Sequence, residues 1–558
     1  MGGYPSHRSM FACLLLLSWL PAASPAQDPN QTTSLSPVYA SGMPFRIEVR
    51  QLETELKGLP GLHSGCSAIL ESQPELLVFF GGRSNLAGMH GFDCGDGSFA
   101  KDDFNRSMFL ANVETGEVWE RSVDDPESGL STKQADQLSA VNYLDNQLGD
   151  HLISIGGYGY SREDQDWVTF DTLALIEIQG LADWIRGRST PLAESIRFLD
   201  PPGGAPGDLY TNTGGKLHLP YDEMWICLGQ EFQGRYDPCD PSVARQTYKK
   251  DFFRLRVEEG RDGWPIFTYL GNSPESQEAF ARRRDLNILP AVVDAKGGIG
   301  MAALSGVFTE ADGCWTVPIL LGRDGSMIQA DPASPRSFKQ GYNVYSSAAM
   351  TAWSESEGVN WFIIGGGISY QLLDHGRFSI PGGFPYSTNL SAIRFDPASD
   401  EWAQFFLNES FPRIPAGPED QAYWRFGSEM YMFPVGDAWS SLTKGAFLRI
   451  LDLDAITEPT TIGYLYGGIA ALGSDFDAPN FATVASPYGF EVILVPGPGC
   501  PADFTDSGVV GGQDLGALLA AWGQLPIGTS AIEDLNDDGW VSGIDLAMLL
   551  QAWGPCSN

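Results

Sequence analysis

Asp503, Thr505, Ser507 and Asp514 recur 31 positions later as Asp534, Asn536, Asp538 and Asp545, and these are the residues whose types and spacing could do the most definite chemistry. Every one of them carries a side-chain oxygen. In each set the donors take positions 1, 3, 5 and 12 of a loop, Gly508 or Gly539 takes position 6, and the backbone carbonyl of Val509 or Trp540 falls at position 7. That spacing wraps oxygens around a hard divalent cation, with glycine making the sharp turn. Two structural Ca2+ ions are therefore the expected cofactor. The second loop offers Asp534, Asp538 and Asp545 as carboxylates, the first only Asp503 and Asp514, so ligand charge makes the second site the stronger.

Each loop opens into an apolar stripe at helical spacing: Leu515, Leu518, Leu519 and Trp522, then Leu546, Leu549, Leu550 and Trp553. Two short helices packed face to face are expected, with Gly523 and Gly554 at their C-terminal caps. Cys500 and Cys556 bracket the pair, and a disulfide between them would close the module at its base. This segment, residues 499–558, resembles the dockerin type I family, whose duplicated EF-hand-type loop and helix attaches secreted polysaccharide-degrading enzymes to cohesin-bearing scaffolds. The resemblance implies a cohesin-like or cell-surface partner. Where that family carries polar recognition residues, at loop positions 10 and 11, this chain has Gly512 with Gln513 and Gly543 with Ile544.

The elements that precede the module repeat as well. Over residues 45–498 an apolar strand ending in glycine recurs: Leu76 to Gly82, Leu152 to Gly157, Met224 to Gly229, Met301 to Gly306, Trp361 to Gly366, Met430 to Gly436 and Glu491 to Gly497. Apolar runs on both strand faces mean burial between sheets. Several are followed by an alternating strand that leads to Trp119, Trp264 or Trp402, and most are preceded by a strand of small residues. About four strands per unit, repeated, make propeller blades. The region resembles the kelch and galactose-oxidase-like β-propellers, and the expected fold is all-β, roughly seven-bladed within a range of six to eight. Phe45 to Leu52 would supply the outer strand of the last blade. A two-domain β-sandwich is the alternative, disfavoured by the even spacing.

Connections after the glycine-terminated strands are long, and rigid scaffolds carry binding on such loops. They hold Tyr158, Tyr160, Tyr236, Tyr370, His375 and Tyr386 beside Asp164, Asp166, Asp237, Asp240 and Asp374. Aromatic faces pack on apolar sugar faces while carboxylates accept hydroxyl hydrogens, so these six are the candidate ligand contacts for a glycan or a protein. The alternative is that they pack the loops onto their own sheets. No catalytic residue is assigned. A pair of carboxylates across the axis would make a glycoside hydrolase. Copper-oxidase chemistry is disfavoured, because no local arrangement of His, Tyr and Cys matches the ligands of the galactose-oxidase-like family. Ser354 to Trp361 is similar to the Asp-box turn of sialidase propellers, with Ser356 where the Asp belongs.

The whole chain carries a formal charge of −36, which repels phosphate backbones and anionic lipids, so neither nucleic acid nor a membrane surface is an expected partner. Residues 1–26 read as a signal peptide, with Arg8 ahead of the apolar Met10 to Leu20, and residues 27–44 as a linker. Secretion, to the extracellular space or a periplasm, and no membrane span in the mature chain are the expectation. Export favours disulfides. Cys66 with Cys94 and Cys227 with Cys239 are paired by sequence proximity, and Cys314 is left as the free thiol.

Overall fold

The computed structural model describes residues 38–39, 43–84, 99–237, 240–272, 279–310, 313–374, 377–379, 385–416, 423–439, 449–473, 482–497, 502–505, 507–525, 531–535 and 539–556. The expected signal peptide lies outside these residues, as does most of the linker.

Strand after strand pairs with its sequence neighbour, giving a series of antiparallel sheets. The first sheet holds Cys66–Ile69, Leu76–Phe80, Ser107–Asn112 and Val118–Ser122. The second holds Leu144–Leu148, His151–Ile155, Leu173–Glu177 and Ile196–Leu199. Lys216–His218, Glu223–Cys227, Phe252–Glu259 and Pro265–Asn272 form the third. Ile288–Val292, Ile299–Ala303, Ile319–Leu321 and Met327–Gln329 form the fourth. The fifth is built on Ala348–Ser354, Val359–Ile368, Tyr386–Asp396 and Glu401–Ser410, with Val38–Tyr39 and Ile450–Asp452 added in parallel at its two edges. The sixth combines Tyr431–Pro434, Thr460–Tyr466 and Gly489–Pro496 with Phe45–Gln51 on its outer side, the place the sequence assigned to that segment.

The apolar runs that ended in glycine are second strands, and their alternation explains the packing. Leu76, Val78 and Phe80 face the second sheet, in one cluster with Leu152 and Ile176. Leu77 and Phe79, on the opposite face, pack on Tyr431, Phe433 and Tyr466 of the sixth sheet. In the same way the second sheet packs on the third through Ile153 and Ile226, and the third on the fourth through Trp225 and Met301. Ala302 meets Phe362, and Ile363 meets Ile462, so the fourth packs on the fifth and the fifth on the sixth. Successive side chains of a strand point to opposite faces, so a strand covered on both sides must be apolar throughout.

Among the described residues there are six such sheets, where seven repeats were counted in the sequence. Met430 to Gly436 and Glu491 to Gly497 fall in one sheet, its first and third strands. The second strand of that sheet is Thr460–Tyr466, and it ends on Gly467 and Gly468, whose φ of 71° and 77° need glycine.

The first strands of all six sheets line a single cavity of about 220 Å³ through Ser67, Asn146, His218, Leu289, Met350 and Met432 among others. Trp439 and Arg449, from the connection that carries Ile450–Asp452, line the same space. Among the described residues no helix is long and apolar enough to cross a membrane.

The C-terminal segment has its own small core of Ala502, Val510, Leu518, Leu535, Val541 and Leu549. Its helices are Gly512–Ala520 and Gly543–Gln551. Two short ladders, Val509–Val510 with Gly554–Pro555 and Gly523–Gln524 with Trp540–Val541, tie each loop to the residues following the other helix. Gly523 and Gly554 therefore sit in ladders and not at the caps, which are Ala521 and Ala552. Only one residue of each expected stripe, Leu518 or Leu549, is fully buried, while Leu519, Trp522, Leu550 and Trp553 stand about half exposed. Two helices this short cover one another along a single line of contact.

Candidate metal centre and axial cleft

In the first loop the five expected oxygen donors converge. Asp503 Oδ1 accepts from Thr505 Oγ1 at 3.3 Å and from Ser507 Oγ at 3.2 Å, and Ser507 Oγ stands 3.0 Å from the Val509 carbonyl. Thr505 Oγ1 is also 2.9 Å from Asp514 Oδ1. Oxygens that share a calcium at about 2.3–2.6 Å stand roughly 3–4 Å from one another, so this donor set fits the ion. The loop is shaped by its own backbone amides: Gly508 donates to Asp503 Oδ2 at 2.6 Å and Gly511 to Asp514 Oδ2 at 2.8 Å. The amides of Ser507 and Gly508, with the Ser507 and Thr505 hydroxyls, hold the Asp503 carboxyl below the usual carboxylate range. Burial opposes ionisation of Asp514, yet bonds from Gly511 and Thr505 bring it below that range too.

The second loop repeats the frame. Gly539 donates to Asp534 Oδ2 at 2.8 Å, Ser542 to Asp545 Oδ2 at 2.7 Å, and Leu535 to Asp545 Oδ1 at 2.8 Å. Asp534 and Asp545 are buried. Asp514 and Asp545 each lie in the first turn of a helix, where the helix dipole favours a carboxylate. Asn536 and Asp538 lie outside the described residues. Val509 and Trp540 turn their side chains to solvent, as residues that contribute only a carbonyl can. Cys556 is disulfide-bonded, and Cys500 lies outside the described residues.

The disulfides expected elsewhere are not formed by Cys66 or Cys227: both are free, buried thiols, as is Cys314. Cys66 is turned into the core between the first two sheets, 3.2 Å from Ser154 Oγ, and Cys227 packs in the cluster of Trp225 and Phe252. Strand alternation, which decides where a cysteine points, overrides closeness in sequence.

Tyr158, Tyr160 and Tyr236 come together. Tyr158 Oη donates to Gly234 O at 2.8 Å and accepts from the Tyr236 amide at 2.8 Å, and Phe99 packs edge-on against both rings. Tyr160 carries the Lys101 ammonium 3.9 Å above its ring and packs on Trp167. Tyr158 is buried in this cluster with Phe104 and Phe232. Tyr386 is buried elsewhere, with Ile469 and Ala471, and Tyr370 packs beside Val307 and Val344. His375 lies outside the described residues.

The sequence reading missed a polar cleft at the start of the first strands. Asn142, Asp145, Lys216, Asp285, Ser346 and Glu429 line it, one or two from each of five sheets, and Ser64 and Gly65 complete it from the other. Lys216 Nζ donates to Ser346 Oγ at 3.3 Å, and Asp285 is paired with Arg284 at 3.5 Å. Burial pushes the Glu429 carboxyl up to about 7, with Lys216 opposing and Asp285 adding to the rise. Burial likewise pushes Asp145 up to about 6 against the pull of Lys216. Deeper in the axial cavity, burial holds the His218 imidazole down to about 4, and its Nε2 has no hydrogen-bond partner among the described residues. The available signal was positional: each of these polar residues stands at or just ahead of a first strand.

No family model matches the chain, and no curated protein matches it. Among solved structures the chain is similar to one titled "Structure of YjhT", at 10% identity and a TM-score of 0.33, over 67% of this chain and 92% of that chain.

Proposed function

We propose that this chain is an exported calcium-binding protein, a six-bladed β-propeller that binds a glycan or protein ligand at one face and carries a C-terminal module holding two structural calcium ions. The observation that carries the reading is the convergence of Asp503, Thr505, Ser507, Val509 and Asp514 on one point, with the same amide frame around Asp534 and Asp545. Calcium supplies charge neutralisation and cross-linking there, and Asn536, Asp538 and the Trp540 carbonyl would complete the second site. Cyclic packing of six sheets around an axial cavity supports the propeller. The exposed pairs Leu519 with Trp522 and Leu550 with Trp553 are where a cohesin-like or cell-surface partner would sit. Calorimetric titration of the chelator-treated full chain with calcium tests this. Two binding events are expected, and no heat of binding refutes the calcium sites.

A second reading, a glycoside hydrolase, is favoured by Asp145, Asp285 and Glu429 around one cleft. Burial raises the Glu429 and Asp145 carboxyls above the ordinary carboxylate range, Asp285 is ion-paired with Arg284, and a proton-holding acid beside a second carboxyl group is the arrangement such enzymes use. Incubation with polysaccharides separates the two: reducing-end release that Glu429→Gln abolishes means hydrolase, and retention in an affinity gel without release means binder.

A further inference from the structure

The second calcium loop has a neighbour beside its position-6 glycine, where the first has open space. Arg413 reaches from the segment after the fifth sheet into the second loop, where its Nη2 lies 3.3 Å from Asp534 Oδ2 in an ion pair whose side chains are 8% and 0% exposed. A Cβ placed on Gly539 would stand 2.9 Å from the Arg413 guanidinium carbon, whereas the equivalent Gly508 of the first loop has open space. The arginine is held from behind. Phe411 and Ile414, on either side of it, are buried in the core of the fifth and sixth sheets, and the Ile414 carbonyl accepts from Trp424 at 3.0 Å.

Resting on the calcium reading above, we infer that Arg413 is a fixed cation set behind the first ligand of the second calcium loop, on the Asp534 Oδ2 that also accepts from the Gly539 amide, so that calcium binding there and seating of the module on the sheets oppose one another through charge. A guanidinium beside the site repels a divalent ion and draws charge from its ligand, and in this setting the interaction is little screened. The coupling is reciprocal: seating weakens calcium at the second loop, and calcium at the second loop weakens seating by the same factor. It also works against the order of affinities that ligand charge alone would give.

The test is calorimetric calcium titration of the full chain and of Arg413→Gln and Arg413→Lys, each checked for native circular dichroism. Arg413→Gln is expected to tighten the second site by about tenfold and leave the first unchanged, because the charge is gone. Arg413→Lys, which keeps the charge, stays near the wild type. Small-angle scattering is the second readout, with calcium increasing the maximum dimension of the wild type and chelator reversing it. Two intact sites with an unchanged or weakened second site in Arg413→Gln overturn the opposition while leaving the calcium reading standing. No calcium binding by the wild type overturns both.

Discussion

Ile47 stands opposite Leu494 in the outer ladder of the sixth sheet, so a strand from the start of the sheet region is bound along its length by a strand from its end. Four sheets are closed within contiguous stretches of chain, the fifth takes Val38–Tyr39 and Ile450–Asp452 at its edges, and the sixth draws on both ends of the sheet region. Phe45 and Ile47 of that strand are buried in one core with side chains of the fifth and sixth sheets.

Phe45→Ala should therefore cost more than an ordinary edge-strand change. Phe45 is buried and packs edge-on against Trp361 of the fifth sheet at 5.5 Å, so the substitution empties a site shared by two sheets. A loss of about 3–5 kcal/mol is expected in urea unfolding. A loss below about 1 kcal/mol would show that the outer strand does not secure the sixth sheet.

How much was legible depended on whether the information was local. Leu76 to Phe80 announces itself because every side chain is apolar, and the closing strand Phe45–Gln51 alternates clearly. The repeats were least legible at the sixth sheet, where Met430 to Gly436 reads like a second strand but is the first, and Thr460–Tyr466 follows only after a long connection. The two oxygen-rich loops were readable since each pattern lies within twelve residues of chain, 503–514 and 534–545. Lys216, Asp285 and Glu429 were not, because only the packing of separate sheets brings them to one cleft.

The free thiols give the second prediction. Burial raises the pKa of Cys66 and of Cys227, so neither forms the reactive thiolate near neutral pH. Iodoacetamide should leave Cys66, Cys227 and Cys314 unmodified in the native protein and alkylate all three in denaturant without reductant. Peptide mass spectrometry reads each site, and failure of Cys66 to react in denaturant until reductant is added would restore the pairing with Cys94.

Glu429 fixes a pH dependence. Its carboxyl titrates near 4.5 when unfolded and at about 7 when folded, so the native state binds the extra proton between those values. Stability from this group is complete below pH 4.5 and is lost as pH rises through about 7. Its slope is at most about 1.4 kcal/mol per pH unit. Urea midpoints should therefore fall from pH 5 to pH 7 less steeply in Glu429→Gln than in the wild type, with Asp145 supplying the remaining slope of the same sign. Parallel profiles for the two proteins would remove Glu429 from the account.

Asp545 caps a helix and is a proposed calcium ligand, two roles that calcium would separate. Its carboxylate accepts from the Leu535 and Ser542 amides, capping the helix Gly543–Gln551, and it stands at position 12 of the second loop, where the proposed calcium would be held. In chelator, Asp545→Ala should lose only the cap, about 1 kcal/mol. With calcium at about 100 times its dissociation constant, each intact site adds about 2.7 kcal/mol, so the variant should gain only one such increment where the wild type gains two. Thermal melts of the full chain with and without calcium measure both quantities. Equal calcium-induced shifts in the two proteins would mean that Asp545 binds no ion and serves the helix alone.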